Sequence, residues 1–120
     1  MALSFGIERL WFAPAFRATP DLALWRNMLV RASPIGYNAV CAALGAADQT
    51  AATARLRLPT LVIAGAEAGA APPDLVRATA ALIKGAEFQL MPGVGHLPGD
   101  KAPAAHAAIL IPFPQAHAPG

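Results

Sequence analysis

The chain has 120 residues, with 9 Lys and Arg, 7 Asp and Glu, 3 His and a net charge of +2. This length favours a single domain, and the scattered basic residues exclude the concentrated positive surface that nucleic-acid binding requires. Apolar residues make up 56%, but 30 residues are alanine, so few side chains can bury a large area. With only 13% charged residues, the composition predicts a segment whose apolar surface is covered by something else.

The apolar runs are too short for a membrane protein. None reaches the ~18–20 residues that cross a bilayer. Glu8 and Arg9 interrupt the apolar start of the chain, so no signal peptide is predicted. Cys41 is the one cysteine, and a chain without a disulfide is typical of a reducing compartment. We therefore expect a cytoplasmic protein with no membrane partner.

Residues 1–58 have the pattern of successive helices. The Thr-Pro-Asp sequence at 19–21 indicates a helix start, because Thr can cap, Pro fits the first turn and Asp favours the helix dipole. Ser33 before a proline indicates another start, and Asp48 is predicted to cap a short turn. Cys41 falls on an apolar helix face and is predicted to be a small core residue.

Residues 59–111 change to an alternation of strands and helices. A continuous apolar run after Pro59 is typical of a strand buried on both faces of a parallel sheet. A strand, a helix and a second strand form a βαβ unit, so the two strands should be parallel. The predicted elements are a strand over 60–65, a helix from 72–74 to Gly85, a strand over 87–91, a helix over 102–111 and an irregular tail over 112–120.

His96 is the strongest candidate for chemistry. It follows the second predicted strand in a loop that contains Gly93 and Gly95, and sites in open α/β sheets lie at that carboxyl edge. Glycines allow backbone conformations that other residues resist, and a neutral imidazole can act first as a base and then as an acid. The alternative is an ordinary surface histidine. The histidines lack zinc-ligand spacing, so no metal or other cofactor is expected.

Three stretches after residue 57 form a pattern: LPTLVIAGAE at 58–67, PP at 72–73 and MPGVGHLP at 91–98. Together they resemble the last third of an α/β-hydrolase. Upstream lie WFAPAFR at 11–17 and the segment 33–48. These two are similar to the helical lid of one subgroup, the 3-oxoadipate enol-lactonases of the β-ketoadipate pathway of aromatic-compound breakdown. The resemblance covers residues 9–111 and implies an incomplete α/β-hydrolase fold: lid-like helices over 1–58, then two parallel strands and two helices over 59–111.

By that resemblance, His96 is the general base of a Ser–His–Asp triad in which a serine attacks the lactone carbonyl. Serine is a weak nucleophile until a neighbouring base takes its proton. The family's acid position is Ala68 here. Glu67, one position earlier, is a weaker candidate acid, and its position is better interpreted as that of a solvated loop carboxylate. The serines are Ser4 and Ser33, and neither lies in a G-x-S-x-G nucleophile elbow.

Three aromatic residues, Trp11, Trp25 and Tyr37, are weaker candidates for lining a substrate pocket beneath the lid. Aromatic side chains on helix faces more often pack in a core, because burial is their usual role. Both a binding role and a packing role therefore stay open for these three residues.

Three functions stay open. The first is a truncated hydrolase that takes a small lactone or ester only when completed. The second is a non-catalytic interaction piece that pairs with a complementary hydrolase chain or with itself through an exposed strand edge. The third is an ordinary helical–βαβ module. The alanine at position 68 and the missing elbow favour the second over an active enzyme.

Overall fold

The computed structural model describes residues 2–117, with side chains from residue 6 onward. Within that range a helical segment comes first, a strand–helix–strand unit follows, and short helices end the described chain. None of these described helices has the length and apolarity that a bilayer crossing requires. In chain order the elements are α1 Ala2–Trp11, α2 Pro14–Arg17, α3 Leu22–Arg31, α4 Pro34–Ala46, α5 Thr50–Thr53, β1 Leu61–Gly65, α6 Pro73–Leu82, β2 Glu87–Met91, α7 Pro98–Lys101, α8 Pro103–Leu110 and α9 Pro112–His117.

The two strands pair in parallel, and α6 connects them. Leu61 lies opposite Glu87, and Gly65 lies opposite Met91. Gly85 turns the chain between α6 and β2 with a φ of +80°, a conformation that glycine adopts without a steric penalty. The predicted α/β class, with lid-like helices followed by two parallel strands, is confirmed.

The predicted helix starts differ in how they are capped. Ser33 Oγ accepts a hydrogen bond from the backbone N–H of Gly36 at 3.3 Å. Asp48 Oδ1 accepts one from the N–H of Thr50 at 2.9 Å. These two bonds satisfy donors that a helix N-terminus leaves free. Thr19 acts otherwise, because its hydroxyl donates to a carbonyl oxygen of α2 at 2.8 Å and so closes α2 without capping α3.

The end of the chain is helical over 112–117, where an irregular tail over 112–120 was expected. Pro112 occupies the first turn of α9, a position where a missing N–H leaves no helical bond unmade. Phe113 and His117 lie one turn apart, with their ring centroids 4.4 Å from each other. The prolines stop α8 but can begin a new helix, so the prediction was wrong for these residues. Positions 118–120 lie outside the described residues.

The core gathers at the carboxyl ends of the strands and is rich in alanine. Phe12 is its most enclosed large side chain, with 1% of its surface exposed. Alanines supply much of the remainder, and each buries little area. The core is therefore small, as the composition indicated. The other buried apolar residues in the described range are Ile7, Ala13, Leu22, Ala64, Ala68, Ala80, Ile83, Met91 and Val94.

Large apolar side chains on α3 and α4 remain outside this core. Leu24 is 74% exposed, Ile35 is 83% exposed and Leu44 is 70% exposed. Cys41, on the same helix as Ile35 and Leu44, is also exposed, so its predicted core position was wrong. The periodicity identified the helix, but no described element covers its apolar residues.

Glu8 is a charged residue within the core, with 3% of its surface exposed. Arg26 binds both of its carboxylate oxygens, through Nε at 2.8 Å and Nη2 at 2.9 Å. These donors hold the pKa of Glu8 below its ordinary value of 4.5, although burial opposes them. A bidentate ion pair of this kind is both strong and directional, so it fixes α1 against α3.

Replacing Arg26 by Met should lower the melting temperature near neutral pH, because the buried carboxylate of Glu8 loses its donors. The pKa of Glu8 in the fold lies below its unfolded value. The pair therefore stabilises the fold above that unfolded value, and the stabilisation is lost as pH falls through the folded pKa. The difference in melting temperature from wild type, followed by circular dichroism, should shrink as the pH falls below 4.5, the ordinary pKa of a glutamate. Arg31→Met, at an exposed position on the same helix, is the control; an equal loss there would contradict the pair's role.

Candidate active site

Two loops meet where the parallel strands end. One follows β1 over residues 66–70, and the other follows β2 over residues 92–96. The N–H of Ala66 donates to the carbonyl oxygen of Met91 at 2.9 Å, and the N–H of Glu67 donates to that of Val94 at 2.9 Å. The loops therefore form one connected edge, the part of an open α/β sheet where sites are found.

Glycines allow this edge to close. A Cβ on Gly65 would collide with the carbonyl oxygens of Val94 and Gly95. A Cβ on Gly95 would collide with the carbonyl oxygen of Trp11 and lie 3.0 Å from the Cα of Phe12. Here glycine is required because backbone meets backbone, whereas Gly93 serves the loop through its φ of +68°.

The last turn of α1 holds both loops in place. The N–H of His96 donates to the carbonyl oxygen of Trp11 at 2.7 Å. The N–H groups of Gly69 and Ala70 both donate to the carbonyl oxygen of Leu10 at 3.0 Å. A helix leaves its last carbonyl oxygens without helical partners, and these loops supply donors for them. The lid-like segment (α1–α5) is thereby joined to the histidine loop through backbone groups.

His96 lines a cleft with a volume of about 590 Å³ between this edge and α4. Trp11 and Tyr37 line the same cleft, so the structure brings together three of the residues singled out from the sequence. Burial, with a contribution from the neighbouring Cys41 thiol, raises the pKa of Tyr37; its phenol is therefore protonated at neutral pH. The remaining lining residues are Leu10, Val40, Cys41, Leu44, Gly69 and Ala70.

The acid side of a triad is not assembled in the described part of the chain. Ala68 is 6% exposed, so the family's acid position is an enclosed site that holds only a methyl group. Glu67 is exposed and is not among the residues that line the cleft. Among the described residues, the imidazole of His96 has no hydrogen bond to a carboxylate.

Trp25 is not among the residues that line the cleft and belongs to a cluster that the sequence did not indicate. Its ring centroid is 5.6 Å from that of Phe12, and the Phe12 centroid is 5.2 Å from that of Phe16. The ammonium of Lys101 lies against all three rings. We call Phe12, Phe16 and Trp25 the aromatic cage. Helical spacing places Trp25 on the face of α3 that carries Leu22, but no sequence signal links it to Lys101.

Solved structures of three hydrolases superpose on most of this chain. The enol-lactonase from Burkholderia xenovorans LB400 superposes with a TM-score of 0.87 at 28% identity, over 95% of this chain and 44% of that one. A hydrolase from Pseudomonas aeruginosa PA01 superposes with a TM-score of 0.81 at 32% identity, over 93% of this chain and 43% of that one. The chain has the fold of part of an α/β-hydrolase. The malate-bound thermophilic esterase from Thermogutta terrifontis superposes with a TM-score of 0.82 at 27% identity, over 97% of this chain and 44% of that one.

The partial α/β-hydrolase fold spans less than half the length of each of these proteins. No protein-family model matches the sequence, and no curated protein matches it significantly. The resemblance inferred from short sequence stretches is thus confirmed by the three-dimensional structure. Within the hydrolase fold, β1 and β2 are the strands whose carboxyl ends carry the Glu67–Ala68 position and His96.

Proposed function

We propose that this chain is the lid-and-histidine part of a cytoplasmic α/β-hydrolase that cleaves a lactone or ester, of the kind exemplified by 3-oxoadipate enol-lactone in aromatic catabolism. One observation carries the proposal: His96 lies at the carboxyl edge of the parallel strands and lines a cleft beneath the lid-like segment. The structural similarity of this chain to the Burkholderia enol-lactonase supports the choice of a lactone as substrate.

In the proposed reaction, His96 takes the proton of a serine as that serine attacks the substrate carbonyl, and gives it to the oxygen that leaves as the acyl–serine forms. His96 then takes a proton from a water that attacks the acyl–serine, and returns it to the serine as the acid is released. His96 lines the cleft together with Trp11 and Tyr37. Such mostly apolar clefts with a few polar groups are typical of small-molecule sites. The Tyr37 hydroxyl, which stays protonated, is a donor that can orient a substrate oxygen.

The serine in this proposal comes from outside the 120-residue sequence, which has no G-x-S-x-G. In α/β-hydrolases that elbow presents the nucleophile, and neighbouring backbone N–H groups form the oxyanion hole. We infer that the 120-residue chain alone does not turn over a lactone. The covalent step needs a nucleophile, and His96 alone supplies only proton transfer.

The function is tested by restoring what this sequence does not contain. We define the chimera as Burkholderia enol-lactonase in which this chain replaces the structurally matched 44%. Loss of enol-lactone, followed by ultraviolet absorbance, should be undetectable above the blank for the 120-residue chain and measurable for the chimera carrying Ala68→Asp. Turnover by the chain alone that disappears in His96→Ala would contradict its inferred inactivity. A folded Ala68→Asp chimera that is inactive would contradict the hydrolase role.

A second candidate, a non-catalytic interaction piece, is favoured by one observation: in the described part of the chain, β1 pairs only with β2, so its other edge is open. Open apolar edges promote pairing with another chain. We propose that copies of the chain self-associate through this edge.

Self-association should appear in sedimentation velocity as a weight-average mass that rises with protein concentration. Thr60 and Ala66 bond to the β2 side of the sheet, and backbone bonding alternates along a parallel strand. The N–H of Ile63 therefore points to the open edge. Ile63→Pro removes that donor and should reduce association, whereas Ile35→Glu should leave edge pairing intact. A concentration-independent monomer with a cooperative melt would contradict this proposal.

A further inference from the structure

The ammonium of Lys101 is held by aromatic faces. Its Nζ lies 3.2 Å from the ring centroid of Phe16, 4.6 Å from that of Trp25 and 4.7 Å from that of Phe12. Phe12 is 1% exposed, so this side of the cage is closed to water. A cation within about 6 Å of a ring face is attracted by the ring quadrupole, and this attraction strengthens when water is excluded.

The cage and the lysine belong to the two parts of the fold that must meet at the site. Phe12 directly follows Trp11, whose carbonyl oxygen accepts the hydrogen bond from the N–H of His96. Phe16 lies in α2 and Trp25 in α3, both within the lid-like segment. Lys101 ends α7, the first helix after the His96 loop. The cation–ring contacts therefore lie across the same junction as the Trp11–His96 hydrogen bond.

The charges around Lys101 leave the rings as its principal partners. Asp100 and Asp21 attract the ammonium from a distance and favour its charged form, but burial lowers its pKa. Among the described residues, no carboxylate lies within ion-pair distance of Lys101. The ammonium is thus partly removed from water without a direct counter-ion, the situation in which aromatic faces contribute most.

We propose that Lys101 and the aromatic cage form a latch that holds the His96 loop against the lid-like segment, which makes Lys101 a positioning residue for His96. Its catalytic meaning rests on the proposed function, but the latch itself is a property of the fold. The competing explanation is that only the aliphatic stem of Lys101 packs against the rings, as lysine stems commonly do. Lys101→Met keeps a similar stem without the charge, and Lys101→Arg keeps a cation.

Amide hydrogen exchange by NMR tests the latch without any turnover. In Lys101→Met, the protection of the His96 amide should fall about 10-fold, the effect of losing a desolvated cation–ring contact. The amide of Glu87, which donates to Thr60 within the sheet, should keep its protection. Lys101→Arg should keep most of the His96 protection. Lys84 is the other lysine of the chain and is exposed. Lys84→Met should leave the protection of both the His96 and the Glu87 amide unchanged.

Three outcomes would overturn the latch. One is unchanged protection of His96 in Lys101→Met. Another is an equal loss in Lys101→Arg and Lys101→Met, since the charge would then be irrelevant. The third is a uniform loss that includes the Glu87 amide, because Lys101 would then support the whole fold without acting at the junction.

A measurement on the unsubstituted chain covers the case in which a variant does not fold. Ring currents should shift the ε-methylene protons of Lys101 upfield of those of Lys84, and coincident shifts would overturn the proposal. The hydrolase role and the latch can also be contradicted independently of each other. An inactive Ala68→Asp chimera with a protected His96 amide removes the hydrolase role and leaves the latch.

Discussion

Ala68→Asp should raise kcat of the chimera for the enol-lactone by about 10³–10⁴-fold. Loss of the orienting acid alone costs about 10⁴-fold in serine protease triads, because the imidazole is no longer held in the correct tautomer and its positive form is not stabilised. Ala68 is enclosed at the carboxyl edge that also carries His96. A carboxylate there restores the missing third group, and initial rates of enol-lactone loss measure the effect.

Glu67 provides the control for this gain. Its side chain is exposed and lies outside the lining of the cleft, so Glu67→Gln should leave the activity of the Ala68→Asp chimera unchanged. If Glu67 served as the acid, the chimera with Ala68 would already be active, Glu67→Gln would abolish that activity, and Ala68→Asp would add little. That combination would contradict the assignment of position 68.

His96→Ala should remove nearly all turnover from the Ala68→Asp chimera. Removing the histidine of a serine protease triad lowers kcat by about 10⁶-fold, since the serine then has no base. The effect should fall on kcat, because the imidazole acts in the chemical step while Trp11 and Tyr37 still line the cleft. Steady-state rates at saturating lactone give the value.

His117 is the matched control for that loss. It lies near Glu87, at the opposite end of β2 from the His96 loop, with Nε2 3.8 Å from the Glu87 carboxylate. His117→Ala should leave kcat of the chimera unchanged. Activity that survives His96→Ala, or that falls equally in both variants, would contradict the role of His96 as the base.

The sheet could be predicted because its signals are local. The apolar run after Pro59 and the alternation over 87–91 each indicate a strand, and the structure has β1 and β2 at those positions. The side-chain caps at Ser33 and Asp48 were also predictable, since each bond spans three residues or fewer. The carboxyl-edge location of His96 follows from strand order alone.

Features that depend on distant residues could not be predicted. The bidentate pair of Glu8 and Arg26 spans 18 positions, and nothing in either neighbourhood indicates the other. Lys101 has the sequence surroundings of a surface lysine, yet it enters a cage whose rings come from α2, α3 and the residue after α1. Cys41 shows the opposite failure, because an apolar helix face predicted burial and no described element covers it.

Gly95 shows how a correct expectation can have a different cause. The sequence predicted backbone freedom in the histidine loop, and Gly93 supplies it through a positive φ. Gly95 is needed for another reason, since a Cβ would collide with the carbonyl oxygen of Trp11. Only the packing of α1 against the loop reveals this, and that same contact carries the hydrogen bond to His96.

Serine labelling by a fluorophosphonate, read by mass spectrometry, is the most direct test that this chain brings a histidine but no nucleophile to the hydrolase. We expect the 120-residue chain to keep its unmodified mass. We expect the Ala68→Asp chimera to gain one adduct, on a serine outside this chain, and to lose it in His96→Ala. An adduct on Ser4 or Ser33 of the 120-residue chain that His96→Ala prevents would contradict the division of the triad.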